Sequence, residues 1–94
     1  MMKTVVIQIG NSDNKLTQNE WAHFAAYIHG VVSRNVLNIH FKGGSDWDAP
    51  WQNACWVGQI HADGIPELRR QLSQERANWK QDSVAIVVGD TEFI

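Results

Sequence analysis

The chain has one cysteine and two prolines among its 94 residues, and it has no long run of apolar residues. A single cysteine cannot form a disulfide within the chain, which excludes a disulfide-stabilised fold. A membrane-spanning helix needs roughly 20 consecutive apolar residues, and no segment approaches that length. The first apolar run, Val5-Val6-Ile7, is also too short for the core of a signal peptide. We therefore expect a cytoplasmic protein with no membrane partner.

Basic residues are few and scattered. The chain carries 8 lysines and arginines against 10 aspartates and glutamates, for a formal net charge of -2. Only Arg69 and Arg70 are adjacent, and both fall within a predicted helix. Because binding along a phosphate backbone requires a basic stripe, the composition argues against a nucleic-acid polymer as partner. A single nucleotide needs only a few hydrogen-bond donors, so that the composition does not argue against a nucleotide as ligand.

Hydrophobic residues make up 44% of the sequence, which is enough for one core without a disulfide or a metal. We therefore expect residues 1–94 to form a single domain. Residues 3–9 alternate in polarity, with Val5, Ile7 and Ile9 on one face, and this predicts a first β-strand.

A well-marked helix start follows a turn cluster at residues 10–14. Thr17 is a suitable N-cap, and Glu20, three residues later, completes a capping box. Leu16 and Trp21 have the spacing of a hydrophobic staple. The apolar positions then recur at helical spacing, at Trp21, Phe24, Ala25, Ile28 and Val31 or Val32. The pattern predicts an amphipathic first helix with one buried stripe.

Two further strands are predicted in the middle of the chain. Residues 36–42 alternate, with Leu37, Ile39 and Phe41 on the face assigned to the core. Residues 53–61 alternate in the same way and predict a third strand. The loop between them would close a β-hairpin.

The last third of the chain predicts a helix and a strand. Pro66 suits the first turn of a helix, where its missing N–H does no harm. The inner face of this helix would carry Ile65, Leu68, Leu72 and Trp79, and the helix would end at Asp82-Ser83. Residues 84–88 form a continuous apolar strand, a type usually found in the middle of a sheet.

The resulting order, β-α-β-β-α-β, is that of the α+β ferredoxin-like fold, a four-stranded antiparallel sheet with two helices on one face. Right-handed crossovers place strands 1 and 3 in the middle. The other face of the sheet, here called the open face, would carry Thr4, Val6, Gln8, Val36, Asn38, His40, Cys55, Val57, Gln59, Ala85 and Val87. A patch of this mixed polarity indicates a partner or ligand surface. We expect the chain to associate with itself through the open face as a homodimer or higher oligomer, with a ligand pocket or a solvated face as the alternatives.

Three of the five tryptophans lie in the segment 45–56. Aromatic rings beside carboxylates and amides can stack on a flat ligand or anchor a protein partner. Trp47 and Trp51 either fold back over the core or are displayed for contact, whereas Trp56 fits a core position. The ligand-binding residues predicted on this basis are Trp47, Asp48, Trp51, Gln52, Asn53 and His40.

A small enzyme is the alternative interpretation. His40 and Cys55 are predicted on one face near the closed end of the hairpin, where an imidazole can promote a thiolate. Asp46 is a second possible partner for His40, although Cys55 equally suits a small buried position. Asp46 and Asp48, with His40 or His61, could also bind a divalent metal or act as acid and base, but a metal site needs three or four converging ligands, and a solvated turn accounts for two carboxylates one residue apart in a loop. The preferred interpretation therefore assigns no catalytic residue, no metal and no cofactor.

Several short stretches resemble a group of small uncharacterised bacterial and phage proteins. They are Glu20-Trp21 with Phe24, the central Pro50-Trp51-Gln52-Asn53-Ala54, Gln81-Asp82-Ser83-Val84 and the closing Gly89-Asp90-Thr91-Glu92-Phe93. A more distant likeness extends to a domain-of-unknown-function family of the same topology. The resemblance implies the ferredoxin-like fold and a phage or mobile-element setting, and it implies no activity.

The leading hypothesis is a non-enzymatic, homo-oligomeric protein that holds a small flat molecule, such as a nucleotide, near the segment 45–56. One alternative is a small enzyme that uses His40 with Cys55 or Asp46 in a cleft between subunits. Another is a module that only binds other proteins.

Overall fold

The structure is a computed structural model that describes residues 1–46 and 49–94. Its regular elements are β1 (Met2–Gly10), α1 (Gln18–Asn35), β2 (Asn38–Gly44), β3 (Asn53–His61), a short 3-10 turn (Ala62–Gly64), α2 (Ile65–Asn78) and β4 (Ala85–Gly89). Neither helix combines the length and apolar character that a bilayer span requires.

The four strands form one antiparallel sheet in the order β2-β3-β1-β4. This order confirms the predicted architecture, with β1 and β3 in the middle. The core lies between one face of the sheet and the two helices, and its buried side chains include Val5, Ile7 and Ile9 of β1, Trp56 and Ile60 of β3, Phe24, Ile28, Val31 and Val32 of α1, and Leu68 and Leu72 of α2.

Trp56 occupies the centre of the core, as predicted, with 1% of its surface exposed. Its indole N–H donates to Nδ1 of His29 over 3.0 Å, so the one polar atom of the ring is paired. A buried indole usually finds such a partner. Trp21 and Trp79 are partly buried and pack against the same core.

The start of α1 is the predicted capping box. The Thr17 backbone N–H donates to Oε1 of Glu20 over 2.9 Å, and the Glu20 backbone N–H donates to Oγ1 of Thr17 over 3.2 Å. These bonds satisfy two donors that a helix N-terminus leaves without intrahelical partners. The hydrogen bonds from Thr17, its backbone N–H first, lower the pKa of Glu20 from its ordinary value of 4.5.

The second strand begins at Asn38, two residues later than predicted, because Val36 is the C-cap of α1. The Val36 backbone N–H donates to the carbonyl of Val32 over 2.8 Å, and the Val36 side chain is buried in the core. The prediction that Val36 lies on the open face is therefore wrong.

A β-bulge at His40 changes which side chains of β2 face the core. Ile39 pairs with Gly58 and Phe41 pairs with Val57, which leaves His40 as the extra residue. A bulge shifts the alternation of all residues that follow it. The prediction that Leu37, Ile39 and Phe41 share the core face is correct only for Ile39, since Leu37 is 58% exposed and Phe41 is 55% exposed.

The second helix ends at Asn78, four residues before the predicted end at Asp82. Trp79 is its C-cap, and Lys80 has a left-handed φ of 54° that turns the chain away from the helix axis. The strand β4 then lies at the edge of the sheet beside β1. This edge position follows from the predicted architecture, in which strands 1 and 3 are central, although an apolar run of this kind is more usual in the middle of a sheet. Ile86 and Val88 pack against the core from the edge.

Removal of the cap should destabilise α1 in a way that depends on pH. Thr17→Ala should lower the free energy of unfolding by about 1 kcal/mol, measured by chemical denaturation. The pKa of Glu20 is lowered in the folded chain. The Glu20 carboxylate therefore contributes to stability above the pKa that it has in the unfolded chain, and this contribution is lost as the pH falls through the pKa that it has in the folded chain.

Two variants serve as controls for the cap. Glu20→Gln keeps an acceptor for the Thr17 N–H but has no carboxylate to protonate. It should therefore remove the part of the stability loss at low pH that comes from Glu20. Asn19→Ala lies exposed in the same turn and should change stability by less than about 0.5 kcal/mol. Equal losses in Thr17→Ala and Asn19→Ala would contradict a specific role for the cap.

Candidate functional site

One apolar row of side chains crosses all four strands on the open face. Phe41 pairs with Val57, Val57 with Val6, and Val6 with Val87. Phe41 and Val87, at the two ends of this row, are 55% and 58% exposed. We call these four residues the apolar row. No element of the described chain covers it, since both helices pack on the opposite face.

Two rows of different character flank the apolar row. On one side lie Asn38, Gln59, Thr4 and Gly89, and on the other lie Gly43, Cys55, Gln8 and Ala85. The first row carries hydrogen-bonding side chains, and the second combines small residues with one amide. An apolar centre between more polar margins is the arrangement found at protein–protein interfaces.

The bulge and a glycine together allow Phe41 to join the open face. The bulge at His40 directs Phe41 to the same side as its partner Val57. The aromatic ring of Phe41 lies over Gly43, where any Cβ atom would collide with the ring. A side chain at residue 43 would therefore force the ring away from the face.

A shallow depression of about 380 Å³ lies on the open face beside the apolar row. Its lining residues are Thr4, His40, Val57, Gln59, Thr91 and Phe93. Two contacts hold the C-terminal residues against β1 at this position. They are a hydrogen bond between the hydroxyls of Thr4 and Thr91 and an ion pair of 2.9 Å between Lys3 and Asp90. The depression therefore combines an apolar floor with an imidazole, an amide and hydroxyl groups.

The tryptophan-rich segment is a separate feature at the far end of the β2–β3 hairpin. The Ser45 backbone N–H donates to the Asn53 carbonyl over 3.0 Å, and the Asn53 N–H donates to Oγ of Ser45 over 3.1 Å. Between these residues, Trp51 is 54% exposed and is displayed rather than folded over the core. Trp47 and Asp48, predicted as ligand-binding residues, lie outside the described part of the chain.

Gln52 is engaged within the protein. Its amide nitrogen donates to Oε1 of Gln18 over 2.8 Å, and its Oε1 accepts from Nδ2 of Asn11 over 3.3 Å. Asn11 is buried and also exchanges hydrogen bonds with the backbone of Leu16. Gln52, the neighbour of Trp51 in the chain, therefore anchors the tryptophan-rich segment to α1 and to the turn after β1.

The residues of the enzyme alternative have different neighbours. Cys55 lies opposite Gly43, whereas His40 is the extra residue of the bulge and lines the depression, in which Cys55 takes no part. Asp46 is an exposed residue of the hairpin loop. Within residues 1–46 and 49–94, no three side chains of His, Cys, Asp or Glu form a group that could hold a metal ion.

Sequence reasoning missed three residues of the open face. The alternation of residues 36–42 places Phe41 on the core face, since nothing in a short alternating segment reveals a bulge. Thr91 and Phe93 follow the last strand and were not assigned to any surface. The Gly43-Gly44 pair directly after Phe41 and Lys42 is the only local sign that a ring needs space there.

The chain was compared with known families and structures. No protein-family model matches it, and neither does any curated protein sequence. An uncharacterised protein from Thermotoga maritima aligns over 97% of this chain and 96% of its own, with a TM-score of 0.51 and 12% identity. A protein from Thermobifida fusca, described as a dimeric ferredoxin-like protein of unknown function, aligns over 96% of this chain and 92% of its own, with a TM-score of 0.59 and 15% identity. At these identities the likeness establishes the ferredoxin-like fold alone.

Proposed function

We propose that this protein is a non-enzymatic homodimer that pairs through the open face and binds a small ligand. The observation that carries the proposal is the apolar row, in which Phe41, Val57, Val6 and Val87 stand in register across the whole sheet. Contiguous apolar patches rimmed by polar residues mark association sites on soluble proteins.

A second copy of the same chain suits this surface. In a dimer with two-fold symmetry, the same patch lies on both subunits and must be complementary to itself. The apolar row meets this requirement, because a row that crosses its own copy buries apolar side chains from both sheets. The open face also lacks Asp, Glu, Lys and Arg in its three rows, so that no like charges would be brought together. A protein of similar fold from Thermobifida fusca is described as dimeric.

The dimer proposal is tested by charge placed in the apolar row. Val87→Glu and Phe41→Glu should each convert a dimer into a monomer, because burial of an unpaired carboxylate at an interface costs several kcal/mol. Leu37→Glu is the matched control, since Leu37 is 58% exposed, as is Val87, but lies outside the three rows. Analytical ultracentrifugation across a concentration series reports the masses, with circular dichroism to verify folding. A monomeric parent chain, or a control that dissociates as readily, would contradict the proposal.

We propose that the ligand is a small flat molecule, such as a nucleotide, held against Trp51. The indole is half exposed on a segment anchored through Gln52 to Gln18 and Asn11, so that little mobility is lost when a ring stacks on it. The exposed Asn53 side chain is adjacent to provide hydrogen bonds, and Trp47 and Asp48 belong to the same proposal.

His40 would contribute only to a ligand in the open-face depression. The phage and cytoplasmic settings are further parts of this proposal, supported by sequence alone.

Native mass spectrometry of the purified protein, followed by denaturation, tests for a bound ligand. A stoichiometric added mass that is released on denaturation should be present in the parent chain and be lost in Trp51→Leu. Tyr27→Leu is the control, because Tyr27 is 58% exposed on α1, outside the tryptophan-rich segment, and it should keep the added mass. A dimer that carries no added mass would favour a module that binds only proteins. If Trp51→Leu retained the added mass, the ligand would bind outside the tryptophan-rich segment, and this part of the proposal would be contradicted.

A further inference from the structure

The two outer edges of the sheet differ in how they are protected from further strand pairing. At one edge, β2 carries the bulge at His40 and the charged Lys42, two features that natural proteins use to block edge-to-edge association. At the other edge, β4 is a regular strand of five uncharged residues, Ala85–Gly89, paired with β1 on one side only. Its other side presents backbone N–H and C=O groups that have no partner in the described part of the chain. The edge formed by β4 is therefore open to a further strand.

A groove runs beside this edge on the helix side of the sheet. It has a volume of about 280 Å³ and lies between α2 and the start of β4. Its lining residues are Arg69, Leu72, Ser73, Arg76, Asp82, Ser83, Val84 and Ile86. A strand that paired with β4 would direct every second side chain into this groove. An edge strand next to a helix-lined groove is an arrangement by which domains capture extended peptides.

Positive charge dominates the helix side of the groove. Arg69 and Arg76 lie two turns apart on α2, and neither forms an ion pair within the described residues. Arg76 donates to the backbone carbonyl of Gln81 over 3.1 Å, which fixes its guanidinium near the groove. The acidic Asp82 is already paired with Lys15 over 3.0 Å. The groove thus offers two guanidinium groups to an incoming carboxylate.

We propose that β4 and this groove bind an extended acidic segment of a partner protein by strand addition. The partner backbone would pair with the free edge of Ala85–Gly89. Its apolar or small side chains would contact Leu72 and Ile86, and its carboxylates would pair with Arg69 and Arg76. The strand would continue the sheet without altering the open face.

Charge favours an acidic partner over a second copy at this edge. Antiparallel pairing of β4 with β4 of another copy would bring the same two arginines of both subunits to one side of the new sheet. Asp82 and Asp90, which flank β4 in the sequence, already form ion pairs with Lys15 and Lys3. A second copy would therefore add like charges on the helix side of the sheet, whereas an acidic segment neutralises the groove.

The probe is a seven-residue peptide with blocked ends that has glutamate at positions 1 and 5, valine at positions 3 and 7, and threonine at the positions between them. Glutamate and valine then share the face that is directed into the groove. We expect saturable binding by titration calorimetry, with backbone amide shifts in the NMR spectrum confined to β4 and α2. Arg69→Gln should weaken binding about tenfold, because one charge-assisted contact is removed. Arg70→Gln is the matched control, since Arg70 is adjacent but pairs with Glu67, and it should bind as the parent chain does.

Two control peptides complete the test. A peptide with lysine in place of glutamate, and the glutamate peptide methylated at every backbone nitrogen, should not bind. Absence of binding by the glutamate peptide, equal binding by either control peptide, or equal loss in Arg69→Gln and Arg70→Gln would overturn the proposal. Protection from hydrogen exchange that rises with protein concentration, without peptide and at the β4 amides that point away from β1, would overturn it as well, because a second copy would then occupy the edge. Since the groove and the open face lie on opposite faces of the sheet, the result does not depend on whether the chain dimerises.

Discussion

One-sided burial of the sheet is the constraint on which the rest of this structure depends. Both helices pack on a single face, and their apolar stripes close the core against Val5, Ile7, Trp56 and Ile60. Among residues 1–46 and 49–94, the two helices of 18 and 14 residues leave no element for the other face, which must meet solvent or a partner. Phe41 and the other members of the apolar row lie on that face. They therefore bear on association with a partner and do not contribute to the core.

A single extra residue at His40 decides the character of the open face. Without it, Phe41 would remain in phase with Ile39 and face the helices, and the apolar row would stop at Val57. The bulge moves one large ring from one side of the sheet to the other, and Gly43 provides the space for it. The same bulge disturbs the outer edge of β2. The apolar row on the open face and the protection of one edge thus have a common structural origin.

The open face and the β4 edge have different chemistry and would bind different partners. The face has no charged side chain in its three rows, whereas the groove beside β4 carries the guanidinium groups of Arg69 and Arg76. Apolar surface provides most of the binding free energy, and charge provides orientation and selectivity. The two proposed interfaces, one for self-association and one for a second protein, would therefore not block each other on this chain of 94 residues.

The sequence by itself determined the order of the elements, the capping box of Thr17 and Glu20, the central strands and the burial of Trp56. These features depend on local periodicity and on short-range hydrogen bonds, which neighbouring residues contain. Only the tertiary structure decided that Val36 caps α1 and that Phe41 turns to the open face. The end of a helix and the position of a bulge are set by the packing of distant segments and leave no mark in the local pattern.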